Sequence, residues 1–260
     1  MFFPRGVLIA ALLGGTLGGA APPESAGKER ASSPVEVRTV RFEGASFQVV
    51  TVDLRRASLR LLRQDDDGQP LRTFEALESW LTGKGERLLA ATNAGIFEPG
   101  EVPTGLFIQD GKELAPLNLR EGRGNFYWKP NGVFLMGAEG ARVVEASRYG
   151  TQASVRQATQ SGPLLLSEGK VHPGFNTSKG LATRSGVGVD AGNAQRVHLV
   201  LSSEPVRLET FAELFRTQLG CKDALYLDGN VSRLYPAALQ GGNMDTGGTF
   251  SGFLAVTEKK

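Results

Sequence analysis

Hydrophobic and polar positions alternate along much of this chain from Val35 onward. VEVRTVRF (35–42) and FQVVTVDL (47–54) set apolar residues at every second position or in short buried runs, and the EGAS between them holds a glycine for a tight turn. Two strands joined as a hairpin are predicted. SLRLL (58–62), RLLAAT (87–92), SGVGV (185–189), RVHLVLS (196–202), ALYLDG (224–229) and TFSGFLAVTE (249–258) read as further strands. Asp110-Gly111, Asn131-Gly132 and Glu168-Gly169 mark hairpin turns, since glycine takes the left-handed conformations such turns need. In two places the period lengthens to that of a helix. TFEALESWL (73–81) puts Phe74, Leu77 and Leu81 on one face behind Thr73 as N-cap, with Gly83 past the end, and VRLETFAELFRTQLG (206–220) is apolar at 208, 211, 212, 215 and 219. No fixed-period repeat and no second linker breaks the pattern. It predicts one strand-rich α+β domain over 35–260, with mixed sheets, many hairpins and a few helices.

Before Val35 the chain reads differently. A start containing Arg5 leads into 16 uncharged residues, Gly6 to Ala21, that end in small side chains. This is the layout of a secretory leader over residues 1–21, cleaved after Ala20 or Ala21; the run is shorter than the roughly 20 apolar residues a bilayer requires and five glycines dilute it. Residues 22–34 are rich in Pro, Ser and charge and predict a disordered linker. An exported protein, periplasmic or extracellular, with no stable membrane anchor after cleavage is expected. Cys221 is the single cysteine, so no internal disulfide can form, and its place just after the second helix predicts a buried, inert thiol.

Composition adds two constraints. The chain has 34 Gly in 260 residues, about twice the usual share, which suits tight turns and close backbone approach in a strand-rich protein. It balances 29 basic against 27 acidic residues with no basic block, which excludes nucleic acid as a partner.

Most familiar catalytic templates fail. Two histidines and one cysteine supply no HExxH or CxxC set, so a zinc hydrolase is excluded, and neither a GxSxG elbow nor a Walker motif occurs. GVGVDA (186–191) fits a dinucleotide fingerprint by letter, but its glycines lie in a strand and no helix follows. The acidic DDDGQP (65–70) would put Arg63 and Phe74 at calcium-ligand positions, so it reads as a solvated turn. Spacing neither requires nor excludes a divalent cation such as calcium, held by carboxylates and carbonyls. Asn176 and Asn230 each begin an Asn-x-Ser triplet, a weak signal in a chain with this leader.

Four segments instead combine glycine with polar residues at strand ends: Asn93-Ala94-Gly95-Ile96-Phe97, Gln160-Ser161-Gly162-Pro163, Arg184-Ser185-Gly186-Val187-Gly188, and Leu227-Asp228-Gly229-Asn230-Val231-Ser232. Each alone is a turn signature. In this order the runs NAGIF, QSGPLL, RSGVGV and ALYLDGNVS resemble the phosphodiester glycosidase family, whose type enzyme removes N-acetylglucosamine from a phosphodiester to uncover mannose 6-phosphate. The resemblance runs from about Leu88 to Ser232, includes GKVHPGF (169–175) and FAELFRTQLGC, and looks closest to the bacterial exported branch. Where the better-studied branch has a run like NLDGGGSS, Asn230 and Val231 here follow Asp228-Gly229 before Ser232.

The resemblance implies a site for a sugar 1-phosphodiester. Cleavage at the anomeric carbon develops oxocarbenium charge and releases a phosphate monoester, which calls for a carboxylate, a cation for the phosphate and polar groups for the sugar. Asp228 is the expected catalytic carboxylate and Arg184 the phosphate clamp, because its planar fork matches phosphate oxygens. Asn93, Gly95, Gln160, Ser161, Gly162, Gly229 and Ser232 are the expected substrate-binding positions. His172 is a candidate proton donor or phosphate ligand, since imidazole titrates near neutrality; His198, inside an apolar alternation, reads as a packed strand residue. Glu98 and Asp110 are candidate second carboxylates. Two other functions fit the same residues: a non-catalytic glycan-binding protein, and a phosphodiesterase that cuts the P–O bond. Asn93, Gln160, Arg184 and Asp228 are expected to converge in one cleft.

Overall fold

Each strand predicted from alternation forms in the computed structural model, which describes Met1 and residues 33–150, 154–229, 231–240 and 248–259. The predicted leader and linker therefore lie outside the described residues, Met1 and residues 33–34 apart. In chain order the elements are β1 (Val35–Phe42), β2 (Ala45–Asp53), β3 (Ser58–Leu62), α1 (Phe74–Gly83), β4 (Glu86–Asn93), β5 (Phe97–Glu98), β6 (Val102–Pro103), β7 (Phe107–Gln109), β8 (Lys112–Ala115), β9 (Gly132–Gly137), β10 (Gly140–Glu145), β11 (Val155–Ser161), β12 (Leu164–Ser167), β13 (Lys170–Val171), β14 (Ser185–Asp190), β15 (Asn193–Ser202), α2 (Leu208–Thr217), β16 (Cys221–Asp228), β17 (Leu234–Tyr235) and β18 (Phe253–Lys259). Residues Ser33–Lys260 form one unit.

Three sheets carry the fold: a seven-stranded one in the order β1-β2-β15-β14-β16-β12-β13, a five-stranded one, β10-β9-β11-β7-β8, and a four-stranded one, β17-β4-β18-β3. All described pairings are antiparallel, which corrects the expectation of mixed sheets: short turns join most sequence neighbours, and short turns allow only antiparallel pairing. Asp110-Gly111 and Glu168-Gly169 turn the β7–β8 and β12–β13 hairpins with positive φ at both residues. Asn131-Gly132 turns nothing. Gly132 opens β9, where a Cβ would lie 2.5 Å from Leu164 Cδ2, so glycine is there for close approach. Gly83 falls inside α1, and the left-handed residue that follows the helix is Gly85.

The seven-stranded sheet is buried on both faces. On one, Val50, Val52, Val187, Val189, Leu199 and Leu225 join residues of the other two sheets in the largest core cluster. On the other, Phe47, Val49, Val200, Ala224 and Tyr226 pack with α2 through Phe211 and Phe215. Period-two alternation thus feeds two cores from one sheet. α2 comes close because β14 presents glycines to it: a Cβ at Gly186 would sit 2.9 Å from Phe211 Cε1, and one at Gly188 would sit 2.6 Å from Phe215 Cδ1. α1 caps the four-stranded sheet with Phe74, Leu77 and Leu81, all fully buried. Among the described residues no helix is long and apolar enough to cross a membrane.

Candidate active site

Strand ends from all three large sheets meet at one place. β4 delivers Asn93, β11 delivers Ser161, β14 begins at Ser185 and β16 ends at Asp228, and buried polar side chains stitch these ends together. Asn93 Nδ2 donates to Ser185 Oγ at 3.0 Å, Ser232 Oγ donates to the same oxygen at 2.8 Å, and Asn93 Oδ1 accepts from the Arg233 amide at 3.2 Å. Ser161 Oγ donates to the Leu227 carbonyl at 3.0 Å and accepts from the Ile96 amide at 3.3 Å. These bonds fix the loop that follows Asp228. In β16 the register with β14 shifts between the pairs Ser185–Asp228 and Gly186–Tyr226, leaving Leu227 as an extra residue; such an irregularity re-aims the side chain beside it.

Above this network lies an open groove of about 470 Å³. Arg184, Tyr226, Asp228 and Gly229 line its floor with Asn125 and Trp128, and Ser178, Gly180, Leu181, Ala182, Leu208 and Val231 complete the lining. The Arg184 side chain is buried, 4% exposed, and is aimed by three bonds: Nε donates to the Val206 carbonyl at 2.7 Å, one terminal nitrogen to the Gly180 carbonyl at 2.9 Å and the other to the Tyr226 hydroxyl at 3.4 Å. Its guanidinium also lies 5.6 Å from the Tyr226 ring centroid. No carboxylate pairs with it among the described residues. Burial without a counter-ion pushes its pKa down.

Asp228 is partly buried, and its Oδ1 accepts from the Gly229 amide at 2.6 Å. Loss of hydration outweighs that bond and raises its pKa to about 6. The Tyr226 hydroxyl, pushed to about 12 chiefly by burial, feels both Arg184 and Asp228 and accepts a long bond from Asn125 Nδ2 at 3.5 Å. Gly229 keeps this corner open, since a Cβ there would stand 2.8 Å from the Tyr226 oxygen. The same groove is thus lined by a buried guanidinium and by a carboxyl whose pKa burial raises to about 6.

The predicted residues divide into layers. Arg184, Asp228 and Gly229 line the groove; Asn93, Ser161 and Ser232 form the network beneath it. Gly95 lets β4's end lie on β11, for its Cβ would fall 2.4 Å from the Gln160 carbonyl, and Gly162 likewise admits the 125–131 loop, with Asn131 Cβ at 2.7 Å. Gln160 faces elsewhere. Its Oε1 accepts from the amides of Leu106 at 3.1 Å and Asn118 at 2.9 Å, while Nε2 donates to the Asn118 carbonyl at 2.7 Å, so its side chain clamps a loop. His172 is also fully engaged: Nδ1 accepts from the Gly174 amide at 3.1 Å and Nε2 donates to the Lys129 carbonyl at 3.0 Å. Those partners define a neutral ring, and burial lowers its pKa.

Other candidates fall outside the groove. Asp110 pairs with Arg60 at 3.1 Å, Glu98 accepts from Thr104 Oγ1 at 3.4 Å, and Cys221 is buried with its thiol pushed to about 12. Among the described residues no group of three or more His, Cys, Asp and Glu could hold a metal ion. Sequence reasoning missed Tyr226, Asn125 and Trp128. Tyr226 carried a signal, being the polar-tipped member of an apolar strand two positions before Asp228. Asn125 and Trp128 stand on a loop whose approach to the groove depends on packing far away in sequence.

Similarity to known proteins places the chain in a family. The phosphodiester glycosidase family model matches residues 86–249. The uncharacterized protein YigE of Escherichia coli (strain K12) is 32% identical over 195 residues, covering 73% of this chain and 74% of that protein. Two solved structures share the fold: the catalytic domain of zebrafish N-acetylglucosamine-1-phosphodiester alpha-N-acetylglucosaminidase, auto-inhibited by its pro-peptide, at a TM-score of 0.56 and 17% identity over 88% of this chain and 84% of that one; and a hypothetical protein from Synechocystis, at 0.52 and 18% identity over 87% of this chain and 64% of that one. By the family match, which spans more than half of it, and by this relative, the chain belongs to the phosphodiester glycosidase family.

Proposed function

We propose that this chain is an exported hydrolase that cleaves the glycosyl C–O bond of a sugar 1-phosphodiester in envelope or extracellular glycans. One observation carries the reading: a buried guanidinium without a counter-ion and a carboxyl of raised pKa open onto the same groove. Buried charge is costly unless paired, and a bound phosphate would supply the missing anion. Arg184 has N–H groups to spare for two phosphate oxygens, and the Tyr226 ring and hydroxyl hold its fork in place.

In this mechanism Asp228 acts as the carboxylate. As the bond from the anomeric carbon to the phosphate oxygen breaks, both bonding electrons leave with the phosphate, and positive charge grows on the sugar, where Asp228 opposes it. Water then supplies its oxygen to the anomeric carbon and its proton to solvent. Arg184 stabilises the departing phosphate monoester, so no second carboxyl is needed as general acid. The family relationship supports a glycosidase, and the leader-like pattern of residues 1–21 in the sequence supports its export.

Hydrolysis in heavy-oxygen water tests the bond that is cut, with N-acetylglucosamine 1-phosphodiesters as first substrates. Label in the sugar is the expected result; label in the phosphate would establish P–O cleavage instead. Turnover of no sugar 1-phosphodiester, with binding retained, would favour a glycan-binding protein.

A further inference from the structure

Trp128 stands half-buried in the lining of the groove, and the surrounding residues fix where it stands. His172 and Phe175 stack at 4.7 Å, and both meet the indole at steep angles, with centroids at 5.1 and 5.5 Å. Gly174 lies against the ring edge, where a Cβ would fall 2.7 Å from Trp128 Cζ2. His172 is held in turn by its two bonds to the Gly174 amide and the Lys129 carbonyl, so the family-like GKVHPGF run ends up as the backing of a tryptophan. Among the described residues the indole N–H makes no hydrogen bond within the protein, and the half-buried ring leaves it open to the groove side. A rigid ring and a free donor therefore line the groove with Arg184 and Asp228.

We propose that Trp128 is the wall on which the sugar ring of the substrate lies, with His172 as its positioning residue. A pyranose presents a face of C–H groups that suits an indole, and hydroxyls at its rim that suit the indole N–H. This inference rests on the glycosyl-phosphate reading of the groove and adds how the glycosyl half is held. It gives His172 a task that needs no proton transfer.

The chain has two tryptophans, and Trp80 lies on α1 beneath Arg60 and Lys84, at 5.9 and 5.7 Å from their cationic atoms. A Trp80→Phe protein therefore reports on Trp128 alone. It is titrated with glucose 1-phosphate, N-acetylglucosamine 1-phosphate and methyl phosphate, following Trp128 emission and, independently, heat of binding. Either sugar phosphate should shift the emission while methyl phosphate leaves it in place; Trp128→Ala should weaken sugar-phosphate binding about tenfold and leave methyl phosphate unchanged, and Trp128→Phe should keep most of the affinity. Binding of sugar phosphates that leaves emission unmoved and is unaffected by Trp128→Ala overturns the wall but spares the groove. Absence of heat with all three ligands overturns both. Should Trp128→Ala misfold, the emission of the Trp80→Phe protein and the Trp128→Phe affinity still decide.

Discussion

The two helices of this fold do the same packing task with different residues. α1 covers the four-stranded sheet with Phe74, Leu77 and Leu81, and Phe74 meets Phe250 and Phe253 at 5.3 and 5.1 Å. α2 covers the seven-stranded sheet with Phe211 and Phe215, over glycines, and beside it a guanidinium, a phenol and a carboxyl are taken out of water. The α1 flank is what folding alone would select. The α2 flank gives up packing volume and hydration at its groove end, a local cost that the proposed chemistry would account for.

Breaking the α1 flank should cost the most. Phe74→Ala removes a fully buried ring and should destabilise the protein by about 3–5 kcal/mol in denaturant unfolding, with kcat/KM of the folded fraction unchanged. A loss of kcat/KM without loss of stability would reverse the contrast.

On the other flank the order of effects inverts. On the proposed mechanism Asp228→Asn should lower kcat by about 10² or more at little change in KM, since the carboxylate would act on charge that exists only in the transition state. With a pKa raised to about 6 and the ionised form as the acting one in that mechanism, the wild-type rate should climb through pH 6 and level off above it. A rate that falls there would assign Asp228 to proton donation. Arg184→Ala should act mainly on KM, raising it about 10- to 100-fold, because phosphate is charged in ground and transition states alike; Arg184→Lys should recover part. Steady-state kinetics with folding verified by circular dichroism measures both.

How far the sequence could be read follows the same division. α2 was legible because positions 208, 211, 212 and 215 keep helical period and are all buried, and alternation located β1 to β4, β14 to β16 and β18; the five-stranded sheet was signalled only by glycine turns. Asp228 and Arg184 were legible as polar residues at the ends of apolar runs. Gln160 was not, since its partners, Leu106 and Asn118, are 54 and 42 positions away. For His172, composition could not distinguish a proton donor from a ring that backs Trp128. Residues like these act through tertiary contacts that no local period records.

The smallest expected effect sharpens the comparison most, because it separates the groove carboxyl from a buried group on the same sheet. His198 shares one bond, Nδ1 with Thr51 Oγ1 at 3.0 Å, while its buried Nε2 has no partner among the described residues, and burial brings its pKa to about 4. Its folded pKa lies below the ordinary imidazole value of 6.5, so between about pH 4 and 6.5 the unfolded chain binds the extra proton and stability rises with pH. Asp228 has the opposite sign. Its folded pKa of about 6 exceeds the ordinary carboxyl value of 3.8, so between them the folded state binds the extra proton and stability falls as pH rises. Over their common window the two slopes oppose, and for these groups the wild type should show little net dependence. Asp228→Asn removes one slope and should leave a protein whose Tm climbs from pH 4 to 6.5; His198→Gln removes the other and should leave one whose Tm drops over that range. Relative to wild type, Asp228→Asn should therefore gain stability at pH 7 while losing turnover, the signature of a carboxyl kept for chemistry against the interest of folding. Matched Tm profiles for wild type and Asp228→Asn would show instead that the Asp228 carboxyl is well hydrated in the folded protein.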